Sequence, residues 1–107
     1  MEKVTKKERK AFVRDKLTMD RRWAQRALLV IYSKQTMTEQ VEGYTSEVNG
    51  VGFSGADSDI MSSFAKFLKK NEYLSPTQMS ILHRIIPKYW KQVIDNSDLT
   101  KLDKYIK

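Results

Sequence analysis

The stretch TMDRRWAQRALLVIYSK, residues 18–34, decides the fold class. It opens on a residue suited to cap a helix, Thr18, contains no Gly or Pro, and sets Met19, Trp23, Ala27, Val30 and Ile31 on one helical face. Arg22, Gln25 and Arg26 fall on the opposite side, with Leu29 interrupting that polar stripe. A helix with one apolar stripe is stable only when other elements cover it, so the flanking segments are read as its partners. Residues 5–17 are strong helix formers with Ala11, Phe12, Val13 and Leu17 as the only apolar anchors, which predicts a basic, mostly solvated N-terminal helix.

On the C-terminal side the helical period fades between Gln35 and Phe53. Gly43, Asn49, Gly50 and Gly52 predict a structured loop there, with a short helix compatible with Thr38 to Glu42. Asn49-Gly50 suits a two-residue hairpin turn, but its flanks are too short to require one. Residues 56–70 resume the helical pattern, with Ile60, Phe64, Phe67 and Leu68 on one face and Met61 and Ala65 beside them. Asp57 and Asp59 match the positive end of that helix, and Lys66, Lys69 and Lys70 its negative end. Ser75-Pro76 starts the next helix, Ser at the cap and Pro where a missing amide hydrogen costs nothing. This last segment buries Met79, Leu82, Ile86, Tyr89, Trp90 and Val93. Pro87 lies inside the pattern and predicts a break between residues 76–85 and 88–94. Leu99, Leu102, Tyr105 and Ile106 make a frayed amphipathic tail over 95–107.

These segments together predict a mainly α single domain of four to five helices over residues 1–107, its helical core at 18–94, with one Gly-containing loop. The expected core includes Trp23, Ala27, Ile31, Phe53, Phe64, Leu68, Leu82, Ile86 and Tyr89. A chain of 107 residues, 40% apolar and 31% charged, is one small globular domain's worth. The absence of Cys and the single His exclude a disulfide scaffold and the common structural zinc cages, so neither metal nor cofactor is expected. No apolar signal core opens the chain and no eighteen-residue apolar run occurs, which predicts a cytoplasmic protein without a membrane partner.

Charge is unevenly placed. Residues 1–34 carry eleven basic and four acidic side chains, residues 35–73 three and six, and residues 74–107 six and three. Two basic flanks bracket an acidic centre, and the net charge of +7 attracts polyanions while also serving solubility. Within the flanks, Arg21, Arg22 and Arg26 cluster on the second helix, and Arg84, Lys88 and Lys91 recur at spacings of four and three. Both groups suit phosphate contacts, and both also fit solvated helix faces, which are common on soluble proteins. Trp23, Tyr89 and Trp90 have the ring faces to stack on unpaired bases, but their apolar spacing assigns them to the core.

Strong catalytic motifs are absent, so no enzyme activity is expected. His83 reads as a boundary residue, since no second His shares acid–base work with it. Asp57 and Asp59 read as helix-end charges rather than cation ligands. Gly50, Gly52 and Gly55 precede a helix as in a phosphate cradle, but without the full dinucleotide spacing and with Asp57 close by. The loop is therefore a packing turn that sets Phe53 against Phe64 and Trp23, and if Gly50 or Gly52 adopts positive φ a β-branched replacement there is destabilising.

Several strings taken together carry a family resemblance: Asp20-Arg21-Arg22-Trp23-Ala24 with Arg26-Ala27-Leu28, Ile31-Tyr32 with Gln35-Thr36, Asn49-Gly50-Val51-Gly52-Phe53, Ala56-Asp57, Leu74-Ser75-Pro76-Thr77-Gln78 and Pro87-Lys88-Tyr89. From Met19 to Val93 the chain resembles a family of small proteins and domains encoded by bacteriophages and other mobile elements. The resemblance implies a compact helical module in a bacterial host cell and carries over no catalytic residue. Combined with the basic faces, it leads to a non-enzymatic accessory protein that binds DNA or RNA through Arg21, Arg22, Arg26, Arg84, Lys88 and Lys91. The alternative is a phage protein that inhibits or redirects a host defence or nucleic-acid-processing protein, its basic faces meeting an acidic host surface.

Overall fold

Thr5 lies in extended backbone, and its hydroxyl accepts the Glu8 amide while the Glu8 carboxylate accepts the Thr5 amide. This reciprocal box satisfies two of the amides that every helix start leaves unpaired, and α1 (Lys6–Met19) follows. The helix stops at Asp20, again extended, and the same residue begins α2 (Arg21–Glu42). Asp20 Oδ1 accepts the Arg22 amide at 2.9 Å and the Trp23 amide at 3.3 Å. Thr18, the expected cap, instead lies inside α1 and donates its hydroxyl to the Arg14 carbonyl. Asp20 takes the cap because its charged side chain sits where the backbone leaves the helix, whereas Thr18 is still within α1.

The computed structural model describes residues 3–42, the last seven of them as backbone, and residues 52–106. Within these, α2 runs unbroken to Glu42, so residues 35–42, read above as loop with a short helix, belong to a single long helix. No Gly or Pro interrupts it. The Asn49-Gly50 turn and the φ of Gly50 lie outside the described residues. Helix α3 (Gly55–Asn71) ends on Glu72 in the left-handed region, and α4 (Pro76–Ile85) opens on the expected Ser75-Pro76 start, with Ser75 and Gln78 forming a second capping box. Pro87 breaks the pattern as expected: a 3₁₀ turn (Ile86–Tyr89) separates α4 from α5 (Trp90–Asp95). Helix α6 (Leu99–Ile106) closes the described chain. The result is a single all-α domain, with no strand among the described residues.

Of the expected core residues, all but Trp23 are buried, and Trp23 is half-buried between the rings of Phe12 and Tyr105. Three expectations are corrected. Met19 is 78% exposed, because the break at Asp20 takes it out of the α2 stripe, whose buried residues are Ala24, Ala27, Leu28, Ile31 and Gln35. Among the anchors named for α1, Ala11 is exposed, while Val13 and Leu17 are fully buried and dock an otherwise largely exposed helix against α2, α4, the 3₁₀ turn, α5 and α6. Residues 99–106 are docked rather than frayed, since Leu102 is buried, Arg9 forms two 2.9 Å hydrogen bonds to Asp103, and Tyr105 meets Trp23 edge-on. Among the described residues, no helix is long and apolar enough to cross a membrane.

Candidate nucleic-acid interface

The six cations singled out in the sequence fall on two parts of the fold. Arg21, Arg22 and Arg26 are exposed on the first two turns of α2, whose opening turn contains no acidic side chain. Helix starts carry partial positive charge, so two arginines there are unfavourable by themselves and only the Asp20 cap offsets them. None of the three has a carboxylate partner among the described residues. Arg21 also borders an open depression of about 570 Å³ between α1 and α2, lined by Phe12, Asp15, Lys16, Met19 and Asp20.

Arg84, Lys88 and Lys91 are exposed too, but they do not share one continuous helix. Arg84 is in the last turn of α4, Lys88 in the 3₁₀ turn and Lys91 in α5, so the spacing of four and three no longer defines a regular α-helical row. Lys88 is also committed elsewhere, its Nζ lying 2.8 Å from Asp57 Oδ2 at the start of α3. Burial pushes the Asp57 carboxyl up, but hydrogen bonds from Lys88 and Tyr89 outweigh it and hold the pKa below the usual carboxylate value. The bond to Asp57 raises Lys88, keeping it charged. The Tyr89 phenol is also raised, first by burial and then by its bond to Asp57.

Ser54, Asp57, Lys88 and Tyr89 thus bring together residue types that catalysis uses, yet the shifts favour a protonated phenol and ammonium over a base or nucleophile. Their visible work is to hold a loop. The amides of Gly52, Phe53 and Ser54 donate in succession to Gln92 Oε1 at 2.9 Å, Gln35 Oε1 at 2.9 Å and Tyr89 Oη at 3.0 Å. Gln92 Nε2 returns a bond to the Gly52 carbonyl at 2.8 Å, and the Tyr89 hydroxyl donates to Asp57 Oδ2 at 2.6 Å. The amides of residues 52–54 are therefore already used internally, and Gly52 has a positive φ, 93°. Phe53 packs edge-on against Tyr89, with centroids 5.2 Å apart. Trp23, expected beside Phe53, pairs with Phe12 and Tyr105 on α1 and α6 instead.

Gln35, Gln92 and the clamp role of Asp57 were missed in the sequence. A signal existed for two of them: Gln35 continues the Ala27–Ile31 stripe and Asp57 precedes Met61 on the buried side of α3, so each is a polar residue at a core position. His83 is a boundary residue as expected, its Nδ1 lying 2.9 Å from the Leu17 carbonyl. Tyr89 is buried, and Trp90 is half-buried with Lys10 Nζ 5.0 Å from its ring centre. Among the described residues no three His, Cys, Asp or Glu side chains group as metal ligands. Compared with protein-family models, curated proteins and solved structures, the chain matches none.

Proposed function

We propose that the chain is a non-enzymatic accessory protein of a phage or mobile element, acting in the bacterial cytoplasm, that binds nucleic acid through backbone phosphates. The observation that carries this reading is the exposed Arg21, Arg22 and Arg26 group at the start of α2, without carboxylate partners among the described residues and at a helix end that favours anions. Arg84 and Lys91 add two further exposed cations, while Lys88 contributes less because Asp57 holds it. Contacts of this kind read the backbone and not the bases, so sequence selectivity is low and affinity falls steeply with salt as counterions are released. Titration of labelled single- and double-stranded DNA and RNA at two salt concentrations tests the reading. Absence of binding to all of them at low salt rejects it.

A second reading draws on a different observation. Met19 and Tyr105 are exposed large apolar side chains near the basic start of α2, a mixture suited to a protein surface as well as to phosphates. In this reading the protein inhibits or redirects an acidic host protein. Affinity capture from nuclease-treated host lysate separates the two. One stoichiometric host protein supports the second reading, and loss of all partners after nuclease supports the first.

A further inference from the structure

Helix α1 carries a row of cations that the sites above do not use. Lys7, Lys10 and Arg14 recur at spacings of three and four and so share one side of the helix. All three are exposed, and none has a carboxylate partner among the described residues. Two contacts fix what lies beside this row: Lys10 stands over the Trp90 ring at 5.0 Å, and the Leu17 carbonyl meets His83 Nδ1 at 2.9 Å. Lys10 and Leu17 are seven residues apart, as are His83 and Trp90, but in the opposite order. Helix α1 therefore runs antiparallel to the segment made of α4, the 3₁₀ turn and α5. In that register Lys91 lies next to the partner of Lys10, and Arg84 next to the partner of Leu17.

We propose that Lys7, Lys10 and Arg14, together with Arg84 and Lys91, form one strip of two antiparallel cation rows that binds duplex nucleic acid through the phosphates of both strands. This rests on the nucleic-acid reading above and names its preferred partner. Packed helix axes lie about 8–10 Å apart, between the roughly 6 Å minor-groove and 12 Å major-groove widths of duplex DNA, and the flexible Lys and Arg stems span the difference. Single-strand binding instead calls for open aromatic faces on which bases stack. This strip offers none, since Tyr89 is buried and Lys10 covers the half-buried Trp90.

The test compares wild type with Lys7→Gln, Arg14→Gln and the double variant, using a labelled 20-base-pair duplex and one of its strands over a salt series. All variants should melt as wild type does, because neither side chain is buried. Wild type should bind the duplex more tightly than the strand. Each substitution should reduce the slope of log affinity against log salt by about 0.9, and the double variant by about twice that. Unchanged affinity and slope in the double variant, while Arg21→Gln/Arg22→Gln/Arg26→Gln weakens binding, would overturn the strip and leave the broader reading standing. Preference for the single strand would overturn the duplex assignment. Failure of wild type to bind the duplex and the strand at low salt, whether made of DNA or of RNA, would remove both readings, and is recognised from wild type alone.

Discussion

Glu72 is the one described non-glycine residue with positive φ, at 65°, where it closes α3 by donating its amide to the Leu68 carbonyl at 2.7 Å. The left-handed region costs a side-chain-bearing residue about 1–2 kcal/mol, and glycine avoids that cost while losing part of the gain to a more flexible unfolded chain. Glu72→Gly should therefore stabilise the fold by about 0.5–1 kcal/mol, read as an upward shift in thermal melting; a lower melting temperature would show that the Glu72 side chain has a role beyond its backbone angle. Gly52 presents the reverse case, since its φ of 93° and its buried setting leave no room for a branched side chain. Gly52→Val should destabilise by about 1 kcal/mol or more, and under the proposed phosphate-binding reading affinity for nucleic acid is unchanged at a temperature where the variant is folded. Wild-type melting combined with lost binding would make the loop a ligand site. The positive φ at Gly52 was legible because only glycine adopts it readily, whereas the Gln35 and Gln92 contacts were not, because an amide's partner is set by segments far away in the chain.

At the scale of elements, the starts and breaks encoded within a few residues were readable. Ser75-Pro76 and Pro87 act through their own backbone and need no tertiary context. Docking was less readable: α1 and α6 have narrow apolar stripes, and α6 is held to α1 by the Arg9–Asp103 pair and to α2 by the Trp23–Tyr105 contact, with Leu102 buried beneath. Leu102→Ala should cost about 2 kcal/mol or more and shift Trp23 emission to the red as α6 loosens; unchanged stability and emission would count against a docked α6. The tie between α3 and the 3₁₀ turn predicts a pH effect. Asp57 has a folded pKa below its unfolded value, so the folded state binds fewer protons there than the unfolded chain. Its contribution is complete above the unfolded pKa of about 3.9 and is lost as pH falls further through the folded pKa. Denaturant melts between about pH 5 and 2 should therefore show a shallower acid loss for Asp57→Asn than for wild type, on top of a lower stability at neutral pH. Parallel curves would show that the pair with Lys88 contributes nothing to folding.

The whole molecule measures 44 × 34 × 21 Å, and its thin dimension is about two helix diameters. Helix α1 packs on the other helices of the basic flanks, and α3, cut from the acidic middle but itself carrying Lys66, Lys69 and Lys70 against Asp57 and Asp59, packs on α2 and α4. That arrangement was half legible, since composition located the charge but only the chain path shows which segments meet. The tie between Arg9 and Asp103 spans 94 residues, and it also bears on the order of events during synthesis. At about 5–20 residues per second, the N-terminal helix precedes its last partner by roughly 5–20 s. During that interval α1 has only its earlier-made partners α2, α4 and α5 to pack on, and the face that α6 completes is still open. The Arg9–Asp103 tie is thus the last of the α1 contacts that synthesis makes available, and it closes a fold whose other helices are already in hand.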